Sequence, residues 1–140
     1  MTQSMIVRAG LFLLVTAVCC GCSESVAKTA QVRGKVLFKG IAVPNGTVNF
    51  IPENGGTSAT GEIQPDGSFK LTTFRSGDGA ILGKHKIVIV AMQDNKDTLP
   101  EARSPLPPPI VPIKYTSPAT STLFETVEDK ENNFTLDLKD

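Results

Sequence analysis

From residue 32 onward, apolar and polar side chains alternate with a period of two, the repeat of a strand that buries one face and wets the other. Val32, Gly34, Val36 and Phe38 fall on one side, with Arg33, Lys35 and Leu37 opposite. After the turn signal Pro44-Asn45-Gly46, the run Thr47-Val48-Asn49-Phe50-Ile51 repeats the pattern with Val48 and Phe50 inward. A third strand is predicted over residues 58–64. Pro65-Asp66-Gly67-Ser68 then reads as a tight turn, in which Pro fixes φ early and Gly accepts positive φ late. Phe69-Lys70-Leu71-Thr72-Thr73 returns as the second arm of a hairpin, with Phe69 and Leu71 on the core face. Past a loop at 76–80, Gly83 opens Lys84-His85-Lys86-Ile87-Val88-Ile89-Val90-Ala91. This run is apolar on both faces from Ile87, which predicts a central strand. Two final strands, 122–127 and 133–138, flank the acidic turn Glu128-Asp129-Lys130-Glu131-Asn132, with Phe134, Leu136 and Leu138 inward. Helical periodicity is missing from this region. Seven short strands with frequent turn signals predict an all-β, two-sheet antiparallel sandwich.

One segment departs from the pattern. Between Gln93 and Pro118 stand seven prolines, Pro100, Pro105, Pro107, Pro108, Pro109, Pro112 and Pro118. Prolines this dense cannot occupy a sheet interior and favour the extended polyproline II conformation. The segment 100–118 is read as a rigid crossing of the sandwich, and as its most plausible docking strip for an aromatic-lined partner groove.

The N-terminal end carries a different pattern. Arg8 precedes the uncharged run Ala9-Gly10-Leu11-Phe12-Leu13-Leu14-Val15-Thr16-Ala17-Val18, which ends in Cys19-Cys20-Gly21-Cys22 and turns polar at Ser23-Glu24-Ser25. A positive start followed by a short apolar core reads as an export signal, since a permanent span needs about 20 apolar residues. The cysteine run resembles a bacterial lipobox, where a small residue precedes the cysteine that is lipidated. That resemblance implies cleavage after residue 21 and lipidation of Cys22, although Cys19 stands where Leu or Val is usual. Residues 1–21 are then the signal peptide, 22–30 a small polar tether, and 31–140 the sandwich domain. Diacyl and amide-linked chains would hold the protein to a membrane, because two or more chains anchor stably where one does not. Ser23, in place of Asp, points to the outer membrane in bacteria that sort by that residue. The expected location is the cell envelope, facing the periplasm or the cell surface.

Composition narrows the chemistry. The chain of 140 residues has 14 Lys and Arg against 14 Asp and Glu, and removal of Arg8 leaves 13 basic residues. Near-neutral charge without a basic block argues against a nucleic-acid partner. All 3 cysteines lie within residues 19–22, so the processed chain keeps one thiol, which the lipid would occupy. Disulfide and metal chemistry are therefore not expected.

The order of the motifs carries a further likeness. Val32-Arg33-Gly34-Lys35-Val36 is followed by Gly40-Ile41-Ala42-Val43-Pro44-Asn45-Gly46-Thr47-Val48, by Asp66-Gly67-Ser68-Phe69 and by Gly83-Lys84-His85-Lys86-Ile87-Val88-Ile89. This order resembles the carboxypeptidase regulatory-like family of transthyretin-type (prealbumin-like) domains. Small bacterial lipoproteins of this type also carry Gly-Asp-Gly-Ala and Lys-Tyr-x-x-Pro-Ala-Thr-Ser segments, matched here at 77–80 and 114–121. The resemblance implies a seven-stranded antiparallel Greek-key sandwich. It gives Gly34, Gly46, Asp66, Gly67 and Gly83 structural roles at turns and close approaches. Two departures are Gln64, where Asp or Asn is usual, and His85, where Tyr is common.

Candidate chemistry is sparse. His85, the only histidine, is flanked by Lys84 and Lys86 and shares a face with Ile87 and Ile89, which reads as a core-edge side chain. One histidine and no Gly-x-Ser-x-Gly elbow leave no nucleophile–base–acid set. Transthyretin-like folds include the hydroxyisourate hydrolase, but its several histidines and its Tyr-Arg-Gly-Ser end are lacking. Asp66-Gly67 and Asp78-Gly79 lack the alternating oxygens of a calcium loop and read as turns. Without Trp, the chain offers Phe74 and Tyr115, with loop 74–80, as possible ligand contacts. The expected function is non-enzymatic and cofactor-free: structural support or protein interaction in the envelope, with a protein or glycan partner. The alternative is a carbohydrate- or peptide-binding module, and a hydrolase of the transthyretin-like class comes last.

Overall fold

The computed structural model describes residues 27–93 and 108–140. The signal peptide, Cys22, most of the tether and residues 100–107 of the Pro-rich segment lie outside the described residues. The described chain is all-β apart from one 3-10 turn. Its strands are β1 (Thr29–Ala30), β2 (Val32–Phe38), β3 (Ile41–Ala42), β4 (Thr47–Pro52), β5 (Ala59–Glu62), β6 (Ser68–Lys70), β7 (Ala80–Ile81), β8 (Gly83–Val90), β9 (Phe124–Val127) and β10 (Asn132–Leu138). The seven expected strands are β2, β4, β5, β6, β8, β9 and β10. The other three are two-residue pieces, too short to leave a period in the sequence. One of them shortens the tether, because Thr29 and Ala30 pair antiparallel with Ile81 and Ala80.

Two sheets share one core. In the first, β2 lies between β10 on one side and β6 and β3 on the other; the second runs β5-β4-β8-β9. Central placement of β8 agrees with its two apolar faces. Side chains from both sheets meet at Phe50, whose ring lies 6.3 Å from that of Phe69 and 5.9 Å from that of Phe134. Val32, Val36, Leu136 and Leu138 from the first sheet and Val48, Ile87, Ile89 and Val127 from the second belong to the same buried cluster. Alternation in β2 holds as expected, with Val32, Gly34 and Val36 buried and Arg33 and Lys35 exposed.

The wholly antiparallel expectation is corrected at one pair. β10 runs parallel to β2, in register from Asn132 beside Val32 to Leu138 beside Phe38. Alternation reports which face of a strand is buried but not its direction, so the sequence pattern is identical for either orientation. The pair requires close approach at Gly34, where a side-chain carbon would strike the Phe134 carbonyl oxygen and lie 2.8 Å from the Phe69 ring.

The predicted turn at Asp66-Gly67 is present, but the hairpin expectation is corrected. Its arms part between the sheets, β5 pairing with β4 and β6 with β2, and Thr60 and Thr72 are linked by an isolated bridge. Gly67 has φ of 80° and its N–H donates to the Gln64 carbonyl oxygen at 2.8 Å. Asp66 Oδ1 accepts from the Ser68 N–H at 3.0 Å and its hydroxyl at 2.6 Å, which closes the turn from the side-chain direction. These Ser68 bonds, side chain first, hold the Asp66 carboxyl below its ordinary value, assisted by the charge of Lys35. Gly46 and Gly83 also take positive φ, 122° and 119°.

Candidate functional site

His85 sits in β8 on the inward face and is fully buried. Its Nε2 lies 2.6 Å from the Ile81 carbonyl oxygen, and a carbonyl only accepts, so Nε2 carries the proton. The imidazole packs against Phe50 at 5.8 Å between centroids, and Nδ1 is buried with no hydrogen-bond partner. A ring held this way fills space at the core edge. Its register partner on β9 is Glu125, whose carboxyl is raised by burial. Lys84 and Lys86 lie over the Phe124 ring, 4.5 Å and 5.4 Å from its centroid.

Tyr115, expected as a ligand contact, is 5% exposed and belongs to the core. It ends the 3-10 turn Ile113–Tyr115 that follows the prolines, and its hydroxyl donates to the Lys139 carbonyl oxygen at 3.0 Å. The expectation is therefore corrected: the ring fastens the returning segment to the end of β10. The described part of the Pro-rich segment runs back beside β8. The Gln93 N–H donates to the Pro108 carbonyl oxygen at 3.1 Å and the Ile110 N–H to that of Ala91 at 2.9 Å. The described part of the crossing is thus tied to the end of β8 through the Pro108 carbonyl and the Ile110 N–H.

Phe74, the other expected contact, is 44% exposed on loop 72–79. The Asp78 carboxylate accepts the N–H groups of Thr73 at 2.7 Å and of Phe74 and Arg75 at 2.9 Å each. Thr72 Oγ1 accepts from the Gly77 N–H at 2.9 Å, and Thr73 Oγ1 donates to the Gly79 carbonyl oxygen at 2.7 Å. Partial burial works against the charge on Asp78, but the three backbone N–H bonds outweigh it and hold the carboxyl below its ordinary value. The result is a loop braced from within by Asp78, Thr72 and Thr73, with Phe74 and Arg75 facing solvent.

Strand register builds a cleft that no motif announces. It is a groove of about 820 Å³ on the solvent face of the first sheet, floored by β10, β2 and β6. Arg33 and Lys35 project from β2, Lys70 from β6, and Asn133 and Thr135 from β10, with Gln64, Ser68 and Glu62 at the rim. Register brings them together. Arg33 is paired with Lys70 on one side and Asn133 on the other, and Lys35 with Ser68 and Thr135. The lining holds three cations against one carboxylate, Glu62. Glu131 approaches Arg33 from outside the groove, with 3.7 Å between Oε1 and Nε. The outward positions of β2 and β6 were readable as cationic in the sequence. Their convergence depends on strand register, which no motif encodes.

A second, smaller cleft of about 460 Å³ lies at the opposite end of β2, between Phe38, Ile41, Val43, Pro44, Pro109 and Ile110. It is mostly apolar, and Ile41 is 73% exposed there. Among the described residues, no group of three or more His, Cys, Asp and Glu side chains is placed to hold a metal ion. Among the same residues, no helix is long and apolar enough to cross a membrane. Comparison with protein-family models, with curated proteins and with solved structures gives no match for this chain.

Proposed function

We propose that the chain is a lipid-anchored, non-enzymatic module of the bacterial cell envelope that works by binding a partner on its sheet face. The groove over Arg33, Lys35 and Lys70 carries this reading, because it places solvated cations, hydroxyls and amides together on a rigid floor. Sequestration of His85 in the core supports a non-catalytic role, since an imidazole without solvent access cannot exchange a proton with a substrate. The export signal and the lipobox-like run ending at Cys22 support the envelope location, with residues up to the first strand as the tether. The motif order from Val32 to Ile89 supports the finer fold assignment, a seven-stranded Greek-key sandwich of the transthyretin-like, carboxypeptidase regulatory-like type.

Mass spectrometry of the protein isolated from its native membrane tests the anchor. An N-terminus at Cys22 carrying acyl chains is the expected result, and retention of residues 1–21 or an unmodified Cys22 would overturn it. Photo-crosslinking in intact cells from Gln64, on the groove rim, tests the binding role. A specific adduct is expected there, and equal yield from a crosslinker on the far sheet would count against the groove.

A further inference from the structure

Resting on the reading of the groove as a binding surface, we infer that its ligand is an acidic glycan, a hydroxyl-rich chain bearing carboxylates along its length. The first observation is the placement of like charges. Arg33 and Lys70 are direct cross-strand partners. Such pairs hold their Cβ atoms about 5 Å apart and weaken the sheet when the charges match. Lys35 lies two residues from Arg33 on the same exposed face, about 7 Å along the strand. These spacings hold for the backbone positions, and the Lys70 side chain reaches out to Gly77. The three cations are thus spread over the face and suit an anion that repeats along a chain better than one small anion. Glu131 beside Arg33 and Asp66 near Lys35 offset part of the repulsion, and a chain of anions lying across the face would offset the rest.

The rest of the lining selects among polyanions. An acidic peptide would gain little here. The groove opens over the side chains on the sheet face, so a peptide lying in it would not extend the backbone ladder of the outer strands β10 and β6. Its only large apolar side chain, Phe69, is buried and provides no anchoring pocket. What it does offer, between the cations, is Asn133, Thr135, Ser68 and Gln64, a set of amides and hydroxyls matched to sugar hydroxyls. Recognition by charge and hydrogen bonding needs no aromatic platform, so the lack of Trp does not bear on this ligand.

An anionic lipid surface fits less well. The acidic turn Glu128-Asp129-Lys130-Glu131 stands beside the N-terminal entry to the domain, where Lys28 pairs with Asp129 and the Asn132 N–H donates to the Gln31 carbonyl oxygen. Carboxylates at that end would meet a negative membrane first.

Titration calorimetry of the detergent-solubilised full chain with oligogalacturonate tests the inference. Binding is expected to weaken with salt, to fall about threefold on each of Arg33→Gln, Lys35→Gln and Lys70→Gln, and about 30-fold in the triple variant. Lys114→Gln, on the 3-10 turn, should leave it unchanged. Methyl-esterified oligogalacturonate, with its carboxylates masked, should not bind. Stronger binding of polyglutamate, of inorganic polyphosphate or of phosphatidylglycerol vesicles would overturn the glycan assignment, as would an unaffected triple variant. A crosslinked partner at Gln64 combined with no glycan binding would overturn this inference alone and leave the binding module standing.

Discussion

Arg33 and Lys70 face each other across the β2–β6 pair, two cations in direct register on the solvent side of the sheet. Matched charges opposite one another lower sheet stability, and an opposite-charge pair in the same place raises it. Lys70→Glu is therefore expected to stabilise the domain by about 0.5 kcal/mol. The gain should appear as a higher urea midpoint at low ionic strength and shrink as salt screens the pair. If the midpoint falls instead, the two side chains are not in electrostatic contact.

Loop 72–79 depends on one carboxylate. Asp78→Asn weakens three charge-assisted bonds at once and should cost about 1–2 kcal/mol near neutral pH. Because the Asp78 carboxyl is lowered in the folded state, its contribution is present above the unfolded value of about 3.8 and is lost as the pH falls through the folded value. Wild type and variant should thus converge in strong acid. Denaturation curves at several pH values check this, and a constant gap down to pH 2 would contradict it.

Glu125 has the opposite sign. Burial raises its carboxyl, so ionisation is costlier folded than unfolded and stability falls as the pH rises through the folded value. Glu125→Gln is expected to raise Tm slightly well above pH 4.5 and to have no effect well below it. A benefit that persists in acid would point to packing rather than charge.

At His85, volume matters more than proton chemistry. His85→Ala empties a site against Phe50 and should cost about 3 kcal/mol. His85→Phe refills the space, frees the core of an unpartnered Nδ1 and loses only the bond to Ile81, a net change within about 1 kcal/mol. Chemical denaturation of the two variants distinguishes these cases. Equal damage from both would assign the role to the Nε2 hydrogen bond.

Much of the fold could be read along the chain because burial here is one-sided. Alternation at Val32, Gly34 and Val36, at Val48 and Phe50, and at Leu136 and Leu138 marks inward faces that the core confirms. The Asp66-Gly67 turn was legible for a similar reason, since its constraint is local. What failed to show was non-local. The direction of β10 leaves no trace in a period-two pattern, and β1, β3 and β7 are two residues each. Tyr115 looked available because it falls among prolines outside any strand, yet its burial depends on Lys139, distant in sequence. The groove was hidden likewise, since only register sets Lys70 opposite Arg33.

Parallel pairing of β10 with β2 also bears on when the domain can fold. Asn132 finds its place beside Val32 about a hundred residues earlier, so the first sheet cannot be completed until almost the whole domain has been made. Such long loop closure slows folding. For a chain exported as proposed above, the delay is useful. It would keep the polypeptide threadable through a narrow channel, with the sheet completed on the far side.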